Sequence, residues 1–171
     1  MFRHLAAAVL ALAFVPVSIG AQDAPEWRLV ERWRSGGDSA LGITFEMVVD
    51  MTRAQNGQLL VLIGGARQQL VIVDNTGRPV GFATGEDGLP IRFDKPNGVV
   101  QFPDGRIVVN EPEAGRLAVL DERARFQHHV PYEPWGYFFR WTGFVHDDGG
   151  LYEPVVHEGQ LSWRRWAPDL T

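Results

Sequence analysis

Residues 96–121 constrain this chain more than any other stretch. After Pro96, Asn97 and Gly98 come VVQF, the turn Pro103-Asp104-Gly105, RIVV, the loop NEPEAG (Asn110 to Gly115), and RLAVLD ending at Asp121. Apolar runs of four to six residues alternate with breaks rich in Gly, Pro, Asn and Asp. A helix needs a longer run with a 3.6-residue period, so this pattern predicts a three-stranded antiparallel meander.

Related patterns flank it. Residues 48–84 read as strand VVDMTRA, turn QNGQ, strand LLVLIGG, turn ARQ, strand QLVIVD, turn NTGR and strand PVGFAT. Asn56-Gly57 and Thr76-Gly77 supply hairpin turn chemistry. The second unit, 98–132, adds an outer strand, ARFQHHVPY, to the meander. The third, 143–171, opens with GFVH, turns at DDGG, continues as LYEPVV, turns at HEGQ and ends in LSWRRW. Landmarks recur in the mid-forties. Gly57 aligns with Gly105, Asp74 with Asp121, Gly105 with Gly150 and Leu117 with Leu161. Four-stranded units at such a period are propeller blades. The expected fold is therefore all-β, with about three blades, half of a six-bladed ring, and no helix longer than about two turns. Leu59, Val61, Ile63, Leu70, Ile72, Val99, Ile107, Val109, Leu117 and Val119 are the expected inter-blade core.

Residues 1–21 differ from the rest. Arg3 and His4 precede an apolar run of 11 residues, Leu5 to Val15, and a small-residue region from Pro16 to Ala21. That is the pattern of a secretory signal peptide, too short to span a bilayer, with cleavage after Gly20 or Ala21. Left uncleaved, it would be an N-terminal anchor. The expected destination is the periplasm or the cell exterior. The remaining residues, 22–171, form one partial propeller domain, large enough to bury a core. They open on an amphipathic strand, Trp27 to Trp33. The whole chain carries a net charge of −5 and no cysteine. An acidic surface without a basic cluster does not recruit nucleic acid, and disulfides and thiolate metal sites are excluded.

The run GFATGEDGLPIRFDKPNGVVQFPDGRIVVNEPEAGRLAVLD resembles an NHL-type blade junction of six-bladed β-propellers. Gly85 and Gly88 match its linker, Phe93 and Pro96 its approach, Gly98, Asp104 and Gly105 its turns, and Arg116 its arginine. Asn110 stands where Asp is usual, which alters the hydrogen bonding between adjacent strands. The Pro96-Asn97-Gly98 sequence, with its strand and D-G turn, also resembles calcium-dependent lactonases of the gluconolactonase family. In that family such an Asn oxygen holds a divalent cation, as a hard ion prefers. That resemblance implies calcium as a cofactor and a hydrolase activity. The family's Asp before a later blade's Gly is Thr142 here, and Glu46 lacks its flanking Gly and Pro.

His128 and His129 are adjacent on a strand and face opposite sides, so they cannot share one ion. His146, Asp147 and Asp148 sit in one turn, His157 and Glu158 in another, where solvated side chains are the default. The aromatic run Tyr132 to Trp141 could line a cleft for a sugar or peptide, with Trp135, Arg140 and Trp141 as contacts, or fill the wedge between two blades. Asn97 and Asn110 complete the candidate ligand-binding set. No nucleophile elbow, P-loop or zinc motif is present. The residues point to a non-enzymatic binding or scaffold propeller for a protein, peptide or carbohydrate, with the calcium-dependent lactonase as the alternative. Three blades do not close a ring. Either the sequence is a piece of a longer product or two copies pair, and in both cases self-association is expected.

Overall fold

Among the described residues, eleven strands form three antiparallel sheets, and within each sheet a strand pairs with its neighbour in sequence. The computed structural model describes residues 43, 45, 47–133, 141, 143–157 and 159–171. The expected leader at 1–21, the strand at Trp27 to Trp33, and Trp135 and Arg140 lie outside them. The first sheet holds β1 (Val48–Arg53), β2 (Leu59–Ile63), β3 (Gln69–Val73) and β4 (Pro79–Phe82). The second holds β5 (Gly98–Gln101), β6 (Ile107–Glu111), β7 (Arg116–Leu120) and β8 (Phe126–Pro131). The third has three strands, β9 (Phe144–Val145), β10 (Leu151–His157) and β11 (Gln160–Trp166). Among the described residues there is no α-helix, only a single 3-10 turn at Pro112–Ala114.

Turn chemistry sets the repeat. At the first hairpin of the second sheet, Phe102 N–H donates to the Arg106 carbonyl and Gly105 N–H to the Phe102 carbonyl. Gly105 has φ +92°, which a side chain would strain. The same bond pair recurs at Ala54, Gly57 and Gln58, and at His146, Gly149 and Gly150. The equivalent of Gly105 is therefore Gly149 rather than Gly150, because Gly149 carries the positive φ. Asp74 and Asp121 close the later turns alike. Asp74 Oδ1 accepts from the N–H groups of Thr76 and Arg78, and Asp121 Oδ1 from those of Arg123 and Arg125.

Strand β6 is apolar on both faces because it lies between two cores. Ile107 and Val109 face the first sheet, alongside Leu60, Leu62, Leu70, Val99 and Phe93. Val108 faces the third sheet with Val100, Phe102, Leu117, Val119 and Leu151. Val108 and Val109 are fully buried, and burial of each valine contributes about 1.5–3 kcal/mol. Leu59, Val61 and Ile63 depart from expectation. Side chains alternate along β2, so with Leu60 and Leu62 facing the second sheet these three point the other way. They pack on the far face of the first sheet under Ile43 and Phe45, with Val71 and Val73.

The innermost strands β1, β5 and β9 stand side by side. Asp50 joins the first two, its Oδ2 accepting from Val99 N–H at 2.9 Å. At the opposite strand ends, Gln55 Nε2 donates to the carbonyls of Phe102 and Pro103 at 3.0 and 2.8 Å. These bonds and the Phe93 core fix the first two sheets to each other.

Candidate functional site

Asn97 and Asn110 meet where β5 begins and β6 ends. Asn97 N–H donates to the Asn110 carbonyl at 3.0 Å, next to the Gly98–Asn110 pair of the ladder. Asn110 shares the face of Val108, so its side chain enters the gap between the second and third sheets. It is 1% exposed. Among the described residues, both of its amide atoms, and Asn97 Oδ1, are buried without a hydrogen-bond partner. Such groups cost about 1–3 kcal/mol each when left unpaired.

Gly98 reads in the sequence as a turn glycine. In the structure it begins β5 and seats an aromatic ring: a Cβ there would lie 2.9 Å from Trp141 Cβ and 3.0 Å from Cδ2. Trp141 is buried against Gly98 and Gly143. Its Nε1–H donates to Glu153 Oε2 at 2.7 Å.

Glu153 is fully buried and is the centre of this interface. It lies two residues after Leu151 on β10 and so faces the second sheet. Tyr132 Oη–H also donates to Oε2, at 3.0 Å. Trp166 Nε1–H and Arg164 Nε–H donate to Oε1 at 2.6 and 2.7 Å. The Arg164 guanidinium lies over the rings of Tyr132 and Trp166, 5.1 and 4.8 Å from their centroids. Burial, then the nearby Glu153 charge, pushes the Tyr132 hydroxyl up to about 12, against the pull of the neighbouring Asn110 amide and Arg164. The Asn110 amide nevertheless keeps no hydrogen bond of proper geometry.

A second carboxylate is engaged on the other face of β6. Glu111, 1% exposed, accepts from Asp94 N–H at 2.6 Å and from both sides of the Arg116 fork at 3.0 and 3.2 Å. His129 Nε2 stands 3.4 Å from it. The Arg116 guanidinium is raised by its bond to Glu111. Burial, then the Arg116 charge, lowers the His129 imidazole. Arg116, a landmark of the repeat in sequence, is thus the counter-ion of a buried glutamate.

Along the inner strands runs a cleft of about 460 Å³, lined by Asp50, Met51, Val100, Gln101, Trp141 and Phe144 among others. Of the sequence-predicted set, Trp141 lines this cleft and packs on Gly98, while Asn97 and Asn110 meet beside Gly98 and are not among the lining residues. Glu111 and Glu153 were missed. A Glu in register with core leucines, with Trp, Tyr and Arg close by in the chain, was the available signal.

Calcium takes 6–8 oxygen ligands, charged ones among them. Here Asn97 and Asn110 offer amide oxygens, but the buried carboxylates of Glu153 and Glu111 are occupied by protein donors. No group of three His, Asp or Glu among the described residues could hold an ion. The described residues do not fit the cation.

No family model matches the chain, and no curated protein matches it. Solved structures do. A candidate exported protein from Bacteroides fragilis is 13% identical, with a TM-score of 0.58, over 78% of this chain and 38% of its own. A protein of unknown function from Bacteroides caccae is 16% identical, with a TM-score of 0.49, over 70% of this chain and 45% of its own. A catalytically inactive virginiamycin B lyase from Staphylococcus aureus, solved with quinupristin, is 10% identical, with a TM-score of 0.45, over 71% and 41%. The chain spans less than half the length of each. At these identities the likeness is one of fold. With the strand order of the three sheets, it makes this an all-β chain of propeller-type blades forming part of a propeller.

Proposed function

We propose that the chain belongs to a six-bladed, NHL-type propeller exported to the periplasm or cell exterior, which binds a neutral hydrogen-bonding ligand and does no chemistry on it. The mid-forties repeat and the junction from Gly81 to Asp121 support the blade type. The signal-like segment 1–21 supports export, as does the exported character ascribed to the Bacteroides fragilis neighbour.

One observation carries the binding reading. At the Asn97–Asn110 end, the buried side-chain atoms left without partners among the described residues all belong to neutral amides. The two buried glutamates are consumed by structural donors. An amide offers one donor group and one acceptor and does not titrate, so it recognises hydroxyl or peptide groups but cannot act as a general base. Trp141 packs on Gly98, the residue after Asn97.

The test is thermal melting of the purified chain against neutral oligosaccharides, short uncharged peptides and calcium. A ligand at a hundred times its Kd adds about 2.7 kcal/mol of stability. A rise in Tm with a neutral probe, lost in Asn110→Leu, supports the proposal. A rise with calcium that is lost in Asn97→Ala would replace it by the metal-dependent hydrolase.

A further inference from the structure

A bulge in β1 turns an acid toward the cleft along the inner strands. Val48 pairs with Ile63, but the register then shifts, and Asp50 stands opposite Leu62. In unbroken register with the first pair it would stand opposite Val61, with its side chain on the far face of the first sheet. Paired with Leu62, it points toward the second sheet, as does Thr52 opposite Leu60. The inner strand of the second sheet, β5, pairs with β6 without any shift. Bulges re-aim side chains, often beside functional sites.

The backbone holds Asp50 in this position. Its Oδ1 accepts from Met51 N–H at 2.8 Å and its Oδ2 from Val99 N–H at 2.9 Å. Asp50, Met51 and Val99 all line the cleft of about 460 Å³. A carboxylate offers about four lone-pair sites, so about two remain. Among the described residues no Lys, Arg or His forms an ion pair with Asp50, and none lines the cleft. The third-sheet side of the cleft is apolar. Val100 and Trp141 belong to the layer between the second and third sheets, and Val145 packs against it. Gly98, Gly143 and the bond to Glu153 fix the Trp141 ring.

We propose that the cleft binds a monovalent organic cation, with its ammonium group at Asp50 and Thr52 and a compact apolar or aromatic body along Val100, Trp141 and Val145. A cleft of this size, mostly apolar with a few fixed polar groups, has the build of a small-molecule site. Its one uncompensated charge is negative, which favours a cation and repels an anion. Two N–H donors already orient the carboxylate, so binding costs little reorganisation. A metal ion needs more oxygen ligands than one carboxylate and one hydroxyl supply, and Gln101 is engaged by Gln55 and Gly105. Neither Asn97 nor Asn110 lines the cleft, so this site stands independently of the amide site.

A ligand-observed NMR titration of the full chain tests this. Phenethylamine carries the cation and the apolar body, phenethyl alcohol the body alone, and methylammonium the cation alone. The expected result is saturable binding of phenethylamine with a Kd of about 1 mM or tighter, and binding at least about tenfold weaker for the other two. Asp50→Asn keeps an oxygen for Val99 N–H but removes the charge. It should weaken phenethylamine at least about tenfold, and a far-ultraviolet spectrum checks its fold. Glu86→Gln removes an exposed charge outside the cleft and should bind as the wild type does. The comparison of probes on the wild type needs no variant, so it decides even if Asp50→Asn does not fold. Equal binding of either other probe, or no saturation by phenethylamine, would overturn the proposal. An affinity indifferent to Asp50, or weakened as much by Glu86→Gln, would overturn it equally.

Discussion

The two inter-sheet contacts of this molecule are built from different materials. Between the first and second sheets lies an apolar core of Leu60, Leu62, Leu70, Val99, Ile107 and Val109, tied at its edges by Asp50 and Gln55. Between the second and third, the apolar layer around Val108, Leu117 and Leu151 gives way to Glu153 with four donors around it, and to the Asn110 amide, unpaired among the described residues. The first contact is non-directional and tolerates small adjustments of shape. The second is directional: four bonds to one carboxylate fix the positions of Tyr132, Trp141, Arg164 and Trp166 together. A buried carboxylate so arranged gains specificity of arrangement more surely than net stability.

The contrast breaks most severely at the centre of each contact. Val109→Asp puts an unpaired charge into the first core, where Val109 is fully buried, and should cost about 5 kcal/mol. Glu153→Ala should cost about 4 kcal/mol for the opposite reason, because it strands Arg164 and three neutral donors in the second. Urea unfolding measures both. Glu153→Gln separates the causes: it keeps one acceptor oxygen but loses the charge, and should fall between Glu153→Ala and wild type.

Gly98→Ala comes next. The added methyl collides with the Trp141 ring system and should cost about 2 kcal/mol, with a loss of near-ultraviolet tryptophan dichroism. If the variant melts as wild type does, Trp141 does not sit on Gly98.

These effects also mark what could be read from residues alone. The hairpins were legible because Gly57, Gly77 and Gly105 sit beside Asn, Thr and Asp, and only a few residue types satisfy such turns. The facing of β2 was not. LLVLI is apolar at every position, so alternation cannot say that Leu60 and Leu62 meet the second sheet while Leu59, Val61 and Ile63 form a separate cluster with Ile43 and Phe45. Asn97 and Asn110 were legible as unusual polar residues at strand ends. Glu153 was not, since an acid in LYEPVV reads as solvent-facing until donors from Tyr132, Trp141, Arg164 and Trp166 are brought to it by long-range pairing. Gly98 was misread because a glycine required by a neighbouring ring looks, in sequence, like one required by a turn.

A gentler perturbation is alkaline pH. Tyr132 titrates near 10 in an unfolded chain but at about 12 in the fold. Because its pKa is raised, the stabilisation it lends is fully present below pH 10 and is lost as pH rises through 12. Stability should therefore decline more steeply between those limits in the wild type than in Tyr132→Phe. Parallel curves would mean that the hydroxyl is not embedded in the Glu153 contact.

The most direct measurement concerns Asn110, whose amide is proposed to serve a ligand while Glu153 beside it serves the fold. Equilibrium unfolding of Asn110→Leu decides between these roles. The side chain is 1% exposed and its amide lacks a partner. Replacing it with an apolar group of similar size removes a desolvation penalty and should leave stability unchanged or raise it by about 1 kcal/mol. A loss of about 2 kcal/mol or more would show that the amide is a structural partner after all, and would contradict the proposed binding site.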